Sequence, residues 1–141
     1  MEIQVNYLAV FLAAVASMIV GFLWYSPMIV GKPWMKLMGY TAEGLKKEQK
    51  KMGTLYGISF VVALITAYVL SHVMTMSQTT LGYDRFMAGL SSAFFMWLGF
   101  VMPVQLTDQI FGAKKWMLFA INTGYQLIAL LAMGVVIGMM G

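Results

Sequence analysis

The chain has 141 residues, of which 61% are hydrophobic and only 10% charged, with a mean hydropathy of +0.81 and a formal net charge of +4. No soluble domain of this length has enough interior for so much apolar surface, which excludes a soluble globular enzyme. The absence of cysteine excludes disulfides, thiolate metal sites and thiol nucleophiles.

Four runs carry no charge: Ile3–Gly31, Met52–Tyr83, Phe86–Thr107 and Trp116–Gly141, of 29, 32, 22 and 26 residues. A helix rising about 1.5 Å per residue crosses a hydrocarbon core about 30 Å thick in about 20 residues. The apolar residues run on without alternating, which argues against transmembrane strands. The expected fold is therefore all-α, an integral membrane four-helix transmembrane bundle. It forms a single domain over residues 1–141, with helices at about 4–26, 54–77, 86–104 and 116–139.

The first helix carries small residues at every fourth position, Ala9, Ala13, Ser17 and Gly21, a groove that another backbone can approach closely. Packing inside one bundle and contact between copies both use such a groove. Ala14-Val15-Ala16 resembles a signal-peptidase site. The leader has Glu2 and no basic residue, and its apolar run continues through Trp24, so this helix is expected to be retained.

The connector 27–53 is the sizeable polar element. Pro27, Gly31 and Pro33 are read as keeping its first part from continuing the helix. Thr41 is a plausible N-cap for a helix over Ala42–Met52 that lies on the membrane surface or runs into the second span. Lys46, Lys47, Lys50 and Lys51 on that segment are candidate contacts for anionic lipid headgroups. With Lys32, Lys36, Lys114 and Lys115 they place eight basic residues on one side of the membrane, against Arg85 on the other. By the positive-inside rule, loops 27–53 and 105–115 are cytoplasmic and both termini external. Trp24, Tyr25, Trp34 and Trp116 then fall at the inner headgroup zone, Tyr7 and Tyr83 at the outer one.

The second helix holds His72, read as a hydrogen-bonded interfacial histidine. The third begins beside Asp84-Arg85 and meets Pro103, where a kink or unwound end is expected. Beyond it Asp108 is expected either to pair with a nearby lysine or to serve a proton or cation at the cytoplasmic mouth. In the fourth helix Asn122 and Gln126 lie one turn apart and point together. They either fix helix register or line a small-molecule site. Gly134 and Gly138 repeat the small-residue spacing of the first helix. Trp24, Pro27, Gly31, Lys32 and Trp34-Met35 have an echo in Trp97, Pro103, Gly112, Lys115 and Trp116-Met117, which would make the fold two tandem helical hairpins.

No Ser-His-Asp set, HExxH motif or Gly-rich phosphate loop is present, and one histidine with five acidic residues offers little acid–base equipment. The chain is therefore read as non-enzymatic, with no catalytic residue, metal or cofactor.

The run Gly21-Phe22-Leu23-Trp24-Tyr25-Ser26-Pro27-Met28-Ile29-Val30-Gly31-Lys32-Pro33-Trp34-Met35, followed by Met38-Gly39-Tyr40-Thr41, is distinctive. Together with Asn6, Ile121-Asn122-Thr123-Gly124-Tyr125 and Gly134, it resembles the domain-of-unknown-function 1761 family. The resemblance implies a four-helix protein of the bacterial inner membrane, and it brings no catalytic residues with it. The candidate polar and aromatic site is Asn6, Trp24, Tyr25, Trp34, Asp108, Asn122 and Gln126. The expected function is a homo-oligomeric pore or small-molecule carrier. The alternative is an accessory membrane protein that binds anionic lipid or a larger complex. Membrane lipids and further copies of the chain are the expected partners, and nucleic acid is not.

Overall fold

The structure, a computed structural model, describes residues 5–26, 29, 31–39, 43–44, 49–112 and 115–140, with the side chains of 49–52 outside the description. Every regular element among these residues is helical: α1 (Tyr7–Trp24), α2 (Gly31–Met38), α3 (Gln49–Leu81), α4 (Arg85–Gly112) and α5 (Trp116–Met140). Tyr7–Trp24, Gly53–Leu81, Arg85–Gly112 and Trp116–Met140 are each long and apolar enough to cross a membrane.

The helix ends follow local hydrogen bonding more than hydropathy. α1 starts three residues later than the apolar run suggests, because the Asn6 side chain caps it by accepting from the Ala9 N–H at 3.2 Å. α3 passes residue 77 and reaches Leu81. The hydroxyls of Thr75 and Thr79 donate back to the carbonyls of Ser71 and Thr75, and Gly82, with φ 74°, closes the helix. α4 is capped by Asp84, whose Oδ1 accepts from the Met87 N–H at 2.7 Å.

Two expectations for the connectors are corrected. The stretch after Gly31, read as non-helical, is α2. Pro33 stands in the first turn, where its missing N–H has no intrahelical acceptor to lose. Gly31 lets the turn close, since a Cβ there would collide with the Tyr25 carbonyl. Gly39, with φ 75°, ends the helix. The third span does not stop at 104, and residues 105–112 are helix rather than loop. Pro103 is absorbed by a π-helical turn over Trp97–Val101, in which the Met102 N–H reaches back to the Trp97 carbonyl. That wider turn moves backbone away from the proline ring, and the α-helix resumes at Met102.

Of the surface helix expected over 42–52, Glu43 and Gly44 are helical and the backbone from Gln49 runs unbroken into α3. Thr41, Lys46 and Lys47 lie outside the described residues, as do the side chains of Lys50 and Lys51.

The four long helices alternate in direction. α1 and α4 each pack against both α3 and α5, while α3 and α5 meet only weakly across the centre. The core is built from small residues on α1, α3 and α4 set against larger ones: Ala9, Ala13, Ala67, Ala88 and Ala93 surround Leu70, Met74, Met133 and Ile137. The closest crossing joins α4 to α5 at Gly89 and Gly134. A Cβ on either would collide with the other's backbone carbonyl. Ala9, Ala13 and Ser17 are buried, and a Cβ on Gly21 would stand 3.2 Å from the Tyr125 hydroxyl, so the expected α1 groove is occupied within the chain. Gly138 lies against the backbone of Arg85 and Phe86.

The tryptophans do not follow the tandem-hairpin echo. A two-fold relation between hairpins pairs α1 with α4 and α3 with α5, so Trp24 bonding to α5 requires Trp97 to bond to α3. Both indoles donate to α5 instead, Trp24 to the Ile121 carbonyl at 3.0 Å and Trp97 to that of Thr123 at 2.9 Å.

Candidate functional site

Polar side chains gather at the end of the molecule where α1 and α4 finish and α5 begins. Tyr25, just past the last turn of α1, donates from its hydroxyl to Asn122 Oδ1 on α5 at 2.7 Å. Its ring meets Trp34 of α2 edge-on at 5.0 Å and Tyr125 of α5 at 5.4 Å. Trp24 lies over Gly124, where a Cβ would approach its ring to 3.2 Å. The glycine is what lets the indole reach the Ile121 carbonyl. Burial, with the nearby Tyr125 hydroxyl adding to it, pushes the Tyr25 phenol from 10.0 up to about 12. At neutral pH it is an uncharged hydrogen-bond donor.

Beside this cluster, α4 and α5 form a half-open cavity of about 150 Å³ lined by Gln105, Asp108, Gln109, Leu118, Phe119, Asn122 and Thr123. It has room for several waters or a small polar solute. Gln109 and Thr123 are buried in its wall, and Asp108 is on the exposed side. The Thr123 hydroxyl donates to Gln105 Oε1 at 2.6 Å, while its carbonyl accepts from Trp97. Thr123 therefore holds α4 both at the start of the π turn and beyond its end. The cavity offers amides, a hydroxyl and one carboxylate, a set that binds polar solutes by hydrogen bonding and supplies no nucleophile–base pair. No group of three or more His, Asp or Glu residues that could hold a metal occurs among the described residues.

Of the residues expected to form the site, Trp24, Tyr25, Trp34 and Asn122 come together, and Asp108 lines the cavity that Asn122 also lines. Gln126 is half-buried one turn further along α5 and outside the cavity wall. Asn6 lies apart from these residues. Besides capping α1, its Nδ2 donates to the Met140 carbonyl at 3.2 Å, at the far end of an 18-residue helix. It ties the two ends of the chain together. Gln105, Gln109, Thr123 and Tyr125 complete the site, and each had a readable signal. Gln105 and Gln109 are four apart, the spacing that marks Asn122 and Gln126, but the helix was ended at 104. Thr123 and Tyr125 lie in the run that carries the family resemblance.

Two further polar clusters sit at the opposite end. Arg85 donates to Thr75 Oγ1, Gln78 Oε1 and Ser71 Oγ on α3 at 2.9–3.3 Å, so it fastens α4 to α3 rather than standing at the surface. His72 packs its ring on Tyr68 at 4.6 Å.

A family model described as protein of unknown function (DUF1761) matches residues 8–138, nearly the whole chain, and the chain belongs to that family. No curated protein and no solved structure matches it.

Proposed function

We propose that this member of the DUF1761 family is a non-enzymatic membrane protein, a four-helix transmembrane bundle that binds a small polar solute between α4 and α5 and carries it across the bilayer. The observation that supports the reading is the cavity of about 150 Å³, walled by amide, hydroxyl and carboxylate groups within two apolar helices. Polar groups are costly inside a membrane, and a cluster of them around an open space has a use. By the positive-inside rule the cavity lies in the cytoplasmic half of the span, with both termini outside and the bacterial inner membrane as the site.

A carrier suits the packing better than an open pore. Beyond the cavity the interior is filled by Leu70, Met74, Met133 and Ile137, and α4 and α5 touch backbone to backbone at Gly89 and Gly134. Passage requires the helices to move, and the π turn at Trp97–Val101 gives α4 a point at which to bend beside the cavity. A homo-oligomer belongs to the same reading. It would meet through outward faces such as Phe95, Phe100 and Val104 of α4, because the α1 groove is already filled.

Native mass spectrometry of the protein released from lipid nanodiscs tests the binding half. The expected result is a small molecule retained by the wild type and lost in Asn122→Ala. A protein that releases only lipid contradicts the reading and favours the accessory role.

A further inference from the structure

α2 was not legible in the sequence, and its surface chemistry is distinct from that of the cavity. Its eight residues divide by face. Successive residues turn by about 100°, so Lys32 and Lys36 stand within about 40° of one another on one side of the helix. Both are exposed. Trp34 lies on the opposite side and is half-buried, and buried Gly31 is turned about 120° from the lysine pair.

The lysines are presented by a fixed support. The Gly31 N–H donates to the Ser26 carbonyl at 2.8 Å, the turn has no room for a Cβ against the Tyr25 carbonyl, and the Trp34 ring packs edge-on against Tyr25. Neither lysine has an ion pair among the described residues. Two like charges one turn apart repel unless an anion lies between them. α2 also begins seven residues after α1 ends, and its Trp34 packs on Tyr25, next to Trp24, in the group of aromatic rings read as marking the headgroup layer.

We propose that α2 is a docking surface for anionic phospholipid, with Lys32 and Lys36 together engaging one headgroup phosphate. The inference rests on the membrane-spanning part of the reading above and is independent of the solute cavity. Each basic residue at an anionic surface contributes about fivefold, and so the pair gives about thirtyfold enrichment of anionic over zwitterionic lipid at α2.

The chain has no cysteine, so single labels can be placed cleanly. A bimane at Met38→Cys, on an exposed position at the end of α2, is read in nanodiscs containing nitroxide-labelled phosphatidylglycerol or phosphatidylcholine. The expected result is much stronger quenching by phosphatidylglycerol. That preference falls at least tenfold, out of the expected thirtyfold or so, in K32Q/K36Q, and changes by less than about twofold in K114Q/K115Q, which removes the same charge elsewhere. A second label at Ile19→Cys, exposed in the middle of α1, reports on the span itself. If nitroxides deep in the acyl chain quench it while Met38→Cys shows no lipid preference, the spanning reading stands and the α2 proposal falls. Equal loss in K114Q/K115Q, or competition of the effect by free inorganic phosphate, would also overturn it.

Discussion

Tyr25 and Asn122, 97 positions apart in the chain, are joined by a hydrogen bond of 2.7 Å between the phenol and the amide oxygen. That bond ties the end of α1 to the start of α5 and places the aromatic cluster against the wall of the cavity. Removing the donor in Tyr25→Phe leaves a half-buried amide oxygen one partner short. The expected loss of stability is about 1 kcal/mol, with a coupling to Asn122→Ala of about 0.6–1.5 kcal/mol in a double-mutant cycle. Equilibrium unfolding in mixed detergent micelles measures both.

The same phenol predicts how stability depends on pH. In the unfolded chain Tyr25 releases its proton near 10.0, whereas in the folded protein it holds it until about 12. Between those values the folded state binds more protons, so stability falls as pH rises, and below the unfolded value this group adds no pH dependence. Melting temperatures followed from neutral to strongly alkaline pH are expected to drop less steeply for Tyr25→Phe than for the wild type.

At the α4–α5 crossing, Gly89→Ala drives a methyl group into the Gly134 carbonyl. The helices must separate, at about 1–3 kcal/mol. Gly57→Ala on α3 is the control. Nothing lies within 4 Å of its Cβ, so it is expected to gain up to about 1 kcal/mol from helix propensity. Opposite signs in a thermal-shift assay support the crossing as described.

Thr123→Val keeps the shape of the side chain but removes the donor to Gln105 Oε1. The expected loss is about 1 kcal/mol. Solute binding should fall as well, because Gln105 is no longer held in the cavity wall. Thr123→Ser retains the hydroxyl and is expected to restore both, as read by binding and melting temperature together.

The spans were legible because charge-free runs of more than twenty residues have few other uses. Their ends were not. Gln78–Thr80 and Gln105–Gln109 read as lying beyond the helix ends, yet backbone bonding and side-chain hydrogen bonds carry the helices through them. α2 was hidden by Gly31 and Pro33, which break a helix in its interior and are tolerated in its first turn. The structure brings Trp24, Tyr25, Trp34 and Asn122, which the family resemblance had grouped, into one cluster and places Asn6 at the other end of α1. A polar residue near a helix end reads alike in sequence whether it lines a site or caps a backbone. Gly89 was overlooked although Gly89 and Ala93 show the small-residue spacing noted on α1. Which side chains of α4 face α5 depends on the π turn, and no residue pattern announces that turn.

On the proposed reading, the cavity between α4 and α5 serves solute transport. The most direct test is uptake of a panel of small polar solutes into proteoliposomes, comparing the wild type with Asn122→Ala and Asp108→Asn. The account predicts saturable uptake of at least one solute, reduced about tenfold or more by each substitution in protein that still melts cooperatively, since the loss of a hydrogen bond to a bound polar group costs about 1.5 kcal/mol. Uptake of no solute, or uptake that both variants leave unchanged, would contradict it.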